Sequence, residues 1–153
     1  MKLSRKSRYG VRAMVDLALH YKKGPIAVGD ISKREGISTH YLEQILNALR
    51  RKNMVKSLRG PKGGYILAKG PGRISVRQIV EILEGDISPV LCAAGKRSKA
   101  CERMDICVTK LVWDKLNDCI KATLGSVTLA DLLKEAEKLG IDKRLKHEYT
   151  FHI

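Results

Sequence analysis

Aromatic residues are scarce in this 153-residue chain, at 5% with one Trp and one Phe. Any core must therefore be mostly aliphatic, and a hydrophobic content of 44% suffices to build one. Acidic residues are short as well: 16 Asp and Glu stand against 30 Lys and Arg, a formal charge of +14. Such an excess calls for a polyanionic partner, nucleic acid first. The charge is unevenly placed, with 18 basic against 7 acidic residues over 1–90 and 12 against 9 over 91–153. No apolar run approaches the roughly 18 residues of a membrane span, and no secretory leader is legible before Leu3. The expected compartment is cytoplasmic, where the four cysteines are not expected to form structural disulfides. Repeats and low-complexity segments are lacking. Catalytic patterns are lacking too. Gly60-Pro61-Lys62-Gly63-Gly64 has neither the spacing nor the following helix of a phosphate-binding loop. His20, His40, His147 and His152 show no nucleophile–base arrangement, so a small enzyme is only a remote alternative.

What is present centres on 30–67. Ile31 opens a short amphipathic run that stops at Gly36. Ser38 stands where an N-cap belongs, its hydroxyl available to the free N–H groups of a first helical turn. Leu42, Ile45, Leu46 and Leu49 then recur at 3-4-3 spacing, one buried helical stripe. The opposite face carries Thr39, His40, Glu43, Gln44, Asn47 and Arg50. A polar-faced helix after a tight turn is how a helix-turn-helix presents its recognition helix to the major groove. Val55–Leu58 and Tyr65–Leu67 flank a Gly/Pro tip and read as a hairpin, the wing of a winged helix. Gln44 suits adenine, Arg50 guanine or phosphate, and Glu43 the cytosine amino group. Arg59, beside Gly60 at the tip, suits a narrow minor groove, with Lys62 on the backbone. Ser38, Thr39, His40, Glu43, Gln44, Asn47, Arg50, Arg59, Gly60 and Lys62 are the candidate DNA contacts.

Along the rest of the chain, Ser4 can cap a first helix with Val11, Met14, Val15, Ala18 and Leu19 inside, ended by Gly24-Pro25. Ser75 and Gln78 make a capping box for a helix through Leu83, with Ile79, Ile82 and Leu83 inward and Gly85 as terminator. The winged domain is expected to span 1–85, followed by an irregular loop over 86–103. Ile106 to Leu124 reads as a helix (104–125 with its flanks) with a stripe of Val108, Val112, Leu116 and Cys119/Ile120. A helix of this kind outside a compact domain needs a partner for its apolar face, and a second copy is the simplest. Two recognition helices about one duplex turn (~34 Å) apart would match a palindromic operator. Thr128 and Asp131 cap a short helix over 128–140, and 143–153 is a basic tail. The fold class is mainly α: a winged helix-turn-helix with a two-stranded wing and a long dimerisation helix.

Cys92, Cys101 and Cys107 fall in one segment. Paired C-x2–4-C knuckles, the usual structural zinc pattern, are absent. Wide, unequal spacing on a loop suits an iron–sulfur cluster better. Zinc and free thiols remain open alternatives. Cys119, about 18 Å past Cys107 along a helix axis, reads as a small buried hydrophobe.

The run RYGVRAMVDLALH in the opening 5–20 stretch, YLEQIL at Tyr41–Leu46, RGPKGGYIL at Arg59–Leu67 and the three cysteines resemble the IscR family of iron–sulfur cluster regulators. The likeness covers roughly 1–135. That family also holds the nitric-oxide sensor NsrR and cluster-free regulators. The resemblance implies a homodimeric winged-helix repressor of cluster-assembly genes with one cluster per subunit, commonly 2Fe–2S, on Cys92, Cys101 and Cys107. The chain departs from the family in three ways. Eight residues separate the first two cysteines where five are usual. Lys110 replaces a ligating histidine of one branch, and Arg5 and Arg8 occupy the region where another supplies a carboxylate. Glu43 leads the candidates for fourth ligand, ahead of His40, Glu102 and Asp105. A thiol-switched or zinc-bearing repressor of the same fold is the alternative.

Overall fold

Helix α1 (Arg5–Leu19) lies in the core, with Ser7, Gly10, Ala13, Met14, Asp16, Leu17 and Ala18 buried along its length. The computed structural model describes residues 3–94 and 101–141. The basic tail read at 143–153 and part of the 86–103 loop lie outside them. Ser4 caps α1 by accepting from the Ser7 N–H. Neighbours cover this helix on several sides, so one apolar stripe does not describe it. Met14 and Ala18 are buried as expected, but Val11, Val15 and Leu19 are only half-buried, while Ala13 and Leu17 lie in the core. Ser7 and Asp16 are buried as well, each with a distant polar partner. The helix stops at Leu19 rather than at Gly24-Pro25, with His20 as its C-cap.

Helix α2 (Val28–Glu35) begins three residues before the expected Ile31, which is its one fully buried side chain. Gly36 ends it in the left-handed region, φ 64°, where a side chain is disfavoured. Ser38 then caps α3 (Thr39–Arg51) by accepting from Tyr41 N–H, and Leu42, Ile45, Leu46 and Leu49 are fully buried. Strands β1 (Val55–Leu58) and β2 (Gly64–Leu67) pair antiparallel, Val55 opposite Leu67 and Leu58 opposite Gly64. Ile26 adds a one-residue bridge to β2: its N–H donates to the Tyr65 carbonyl (3.0 Å) and Tyr65 N–H donates back (2.8 Å).

Helix α4 (Val76–Glu84) carries the Ser75/Gln78 capping box and ends at Gly85. Ile79, Val80 and Leu83 are buried, Ile82 half-buried. The core does not close there. After α5 (Lys110–Ser126), which starts four residues later than Ile106, the chain returns to α4's start: Val76 N–H donates to the Val127 carbonyl and Leu129 N–H to Ile74. Thr128 and Asp131 then cap α6 (Leu129–Lys138), whose Leu129 is fully buried in the same cluster as Met14 and Ile79.

Candidate nucleic-acid interface and thiol segment

The four aliphatic side chains of α3 face the core, so the other side must face out. Ser38, Thr39, His40, Glu43, Gln44 and Arg50 are exposed and Asn47 is half-buried. Gln44 donates to His40 Nε2 at 3.0 Å, one turn apart. Arg50 reaches past the end of α3 to donate to Ser57 Oγ of β1 (3.2 Å), tying recognition helix to wing. Arg59, Gly60 and Lys62 are all exposed at the tip. The tip and the polar face of α3 thus both present exposed hydrogen-bonding side chains on a chain of charge +14. Edge-on packing of Tyr9 against Tyr41 (6.0 Å) supports α3 from behind.

None of the four cysteines is in a disulfide. Cys92 sits half-buried in a 3-10 turn (Leu91–Ala93), Cys101 is exposed, and Cys107 lies three residues before α5. Thr109 Oγ1, 3.1 Å away, can donate to Cys107 Sγ and holds its thiol below the usual range, helped by the Lys110 N–H and the Arg103 charge. Lys110 pairs with Asp114 one turn on, which raises its pKa. Negative charge on Cys92 and Cys107 adds to that, so both thiols act on one ammonium. Sequence reasoning noticed Lys110 only as a missing ligand. The i,i+4 spacing to Asp114 was the available clue to its pairing. Among the described residues no group of three or more His, Cys, Asp or Glu side chains is gathered as a metal site. Glu43 is exposed on α3 and is not drawn into a donor group with the thiols; His40 is exposed on the same helix, and Glu102 and Asp105 on the segment before α5.

Helix α5 carries apolar side chains on both its inner and its outer side. Its inner side carries buried Asn117 with half-buried Lys110, Trp113, Asp114, Ile120 and Leu124. The outer side exposes Val108 (88%) just before the helix, then Val112 and Leu116. Cys119, read as a small buried hydrophobe on the stripe a second copy would cover, is exposed in the single chain. Among the described residues no helix is long and apolar enough to cross a membrane.

Comparison with known proteins agrees with this architecture. A family described as "Rrf2: Iron-dependent Transcriptional regulator" matches residues 3–135. The HTH-type transcriptional regulator IscR of Xenorhabdus nematophila is 41% identical over 144 residues, 94% of this chain and 86% of that protein. Its counterpart in Cronobacter sakazakii is 38% identical over 148 residues, 97% and 90% of the two chains. Among solved structures, T. potens IscR superposes with a TM-score of 0.74 at 42% identity, covering 91% of this chain and 90% of its own. CymR (YrzC), the global cysteine regulator of B. subtilis, gives 0.73 at 36% identity, covering 88% and 98%. With its helix-turn-helix, its wing and its likeness along nearly the whole length, the chain belongs to the Rrf2 family of iron-dependent transcriptional regulators.

Proposed function

We propose that this regulator reads DNA with α3 and the wing as a homodimer on a palindromic operator, and that an iron–sulfur cluster on Cys92, Cys101 and Cys107 governs that reading, repressing cluster-assembly genes. The observation that carries the DNA half is the two-sided α3: four fully buried aliphatics against an outward row of Thr39, His40, Glu43, Gln44 and Arg50. Ser38 and Asn47 border that row, and Arg59, Gly60 and Lys62 extend it into the wing. In this reading Glu43 leads the candidates for fourth ligand, ahead of His40, Glu102 and Asp105, and faces the operator when unligated. The outward apolar side chains of α5, Leu111, Val112 and Leu116, support the dimer, because they are exposed in the single chain.

Three soft donors in one segment, two of them beside the Lys110 ammonium and one held low, fit an iron–sulfur cluster in donor chemistry. Bound there, the cluster would supply a redox-active, iron-dependent group. The chain's own part is to hold the thiolates, through Thr109 and the N–H groups at the start of α5, and to balance their charge through Lys110. The same low-lying Cys107 supports one other reading, direct thiol oxidation without a metal.

Selection from a random DNA library by wild-type protein tests the DNA reading, which an unenriched pool would sink. Arg59→Ala should then weaken the selected duplex and reduce the salt slope by about 1; unchanged binding removes the wing assignment. Anaerobic absorption, with iron and sulfide assayed on the same sample, separates the cluster from the thiol switch. Matched iron and sulfide that vanish in Cys92→Ala support the cluster. A protein that stays colourless after reconstitution, with three titratable thiols, supports the switch.

A further inference from the structure

Helix α2 is weakly seated by ordinary measures. Ile31 is its one fully buried side chain, and no side chain caps its N-terminus. Yet only Gly36, Ile37 and Ser38 separate it from α3. The buried stripe of α3 begins at Leu42, so it anchors the middle and far end of that helix. The near end, with Thr39 and His40, is backed by Tyr41 against Tyr9 and by buried Ile37 in the turn, and its direction is continued from the last residues of α2.

Those last residues are held by two reciprocal ion pairs. Arg34 meets Asp16 of α1 side-on, Nε to Oδ1 at 2.6 Å and Nη2 to Oδ2 at 2.7 Å, with side chains only 7% and 1% exposed. The next residue reverses the polarity. Glu35 Oε2 accepts from Arg12 Nε at 2.8 Å, and Arg12 Nη2 donates to the Glu35 carbonyl at 2.5 Å. Arg12 and Asp16 are one turn apart on a shared face of α1. Two adjacent α2 residues are thus gripped by opposite charges from successive turns of α1.

Apolar contacts allow small slides and rotations, whereas a bidentate guanidinium–carboxylate fork is planar and fixes direction. As a stabiliser, a buried pair is poor, because desolvation offsets much of its attraction. Direction is what it adds. We propose that Asp16 and Arg34, with Arg12 and Glu35 as the outer half of the clamp, are positioning residues that set the approach of α3's first turn to the bases and hence its sequence selectivity. This role presupposes DNA reading by α3 and concerns none of the contacting side chains.

The test uses the duplex selected by wild-type protein, a scrambled duplex of equal length, and the full-length variants Asp16→Asn/Arg34→Gln and Arg34→Lys. Affinities are measured well below each variant's unfolding temperature, with circular dichroism confirming a folded protein. The double variant should lose roughly tenfold on the selected duplex, the equivalent of one misread base pair, while holding the scrambled duplex unchanged. Arg34→Lys keeps the charge but not the fork and should fall between. A pair with a merely structural role would lower the melting temperature and leave the ratio of the two affinities intact; that result overturns the proposal. Should the double variant not fold, Arg12→Gln at the half-exposed outer pair carries the test, and unchanged selectivity there overturns it equally. If the wild type enriches no sequence, DNA reading by α3 fails and the clamp's role falls with it; enrichment with an unchanged ratio sinks the clamp alone.

Discussion

Replacing Gly64 by alanine tests whether the wing is docked by backbone contact rather than by its hairpin alone. A Cβ built at Gly64 would lie 2.2 Å from the Ile26 carbonyl oxygen and 2.8 Å from the Ala27 nitrogen. Both are main-chain atoms, so no side chain can swing aside. Relief requires β2 to retreat from Ile26, which removes the two bridge hydrogen bonds of 3.0 and 2.8 Å between Ile26 and Tyr65. At about 1 kcal/mol net for each bond, with some strain in the strand pair, the expected loss is about 2–3 kcal/mol. For a chain of this size that corresponds to a fall in Tm of about 5–10 °C. Urea denaturation gives the free energy, and amide exchange at Ile26 and Tyr65 shows whether those bonds in particular have opened. A variant within about 0.5 kcal/mol of wild type, with both amides still protected, would refute the reasoning.

Other substitutions probe other links. Gly29 lies inside α2 with open space at its Cβ, so Gly29→Ala should stabilise by up to about 1 kcal/mol in the same urea assay. Glu84 accepts from Ser4 N–H (2.7 Å) and Ser7 Oγ (2.5 Å), which together hold its carboxyl below the usual range. Its stabilising share is therefore present above pH 4.5 and lost as pH falls through the lowered pKa; Glu84→Gln should flatten the acid limb of a stability–pH curve. Glu35 has the opposite sign: burial raises its pKa, so its share is full below pH 4.5 and is lost as pH rises through the raised value. Glu35→Gln should accordingly steepen the stability–pH curve just above pH 4.5. Val112→Asp/Leu116→Asp should shift sedimentation from dimer to monomer with helical content retained; dimers that persist would move the interface off α5.

Local rules read well where a local cause dominates. The side chains of Ser38, Ser75 and Thr128 satisfy helix N–H groups a few residues away, and each was identifiable as a cap before any fold was known. The α3 stripe was equally plain, because that helix has one wet side. Prediction failed where the partner was remote. Ser7 and Asp16 look like surface residues until Glu84, 77 residues on, and Arg34, 18 residues on, come to meet them. The stripe of α1 was misjudged for a related reason: a helix packed from several directions has no single apolar side for periodicity to find. The α5 stripe, read as a face for a second copy, is exposed at Val112, Leu116 and Cys119 in the single chain, while its Ile120 is half-buried. For the thiols, spacing located the segment; what it could not supply was the Lys110–Asp114 pair, whose ammonium both Cys92 and Cys107 act on.

The return of the chain at Val127–Leu129 has a consequence for synthesis. Ile74 and Val76, at the start of α4, wait for backbone partners that leave the ribosome some fifty residues later. At about 5–20 residues per second that gap lasts seconds, during which α1, the recognition helix and the wing exist around a core with Leu129 missing. The polypeptide therefore cannot complete its DNA-reading half first and add the sensing segment afterwards. Translation must carry past the thiols and through α6 before the operator-facing surface acquires its final support, so a ribosome stalled between 95 and 125 releases a reader with an open core.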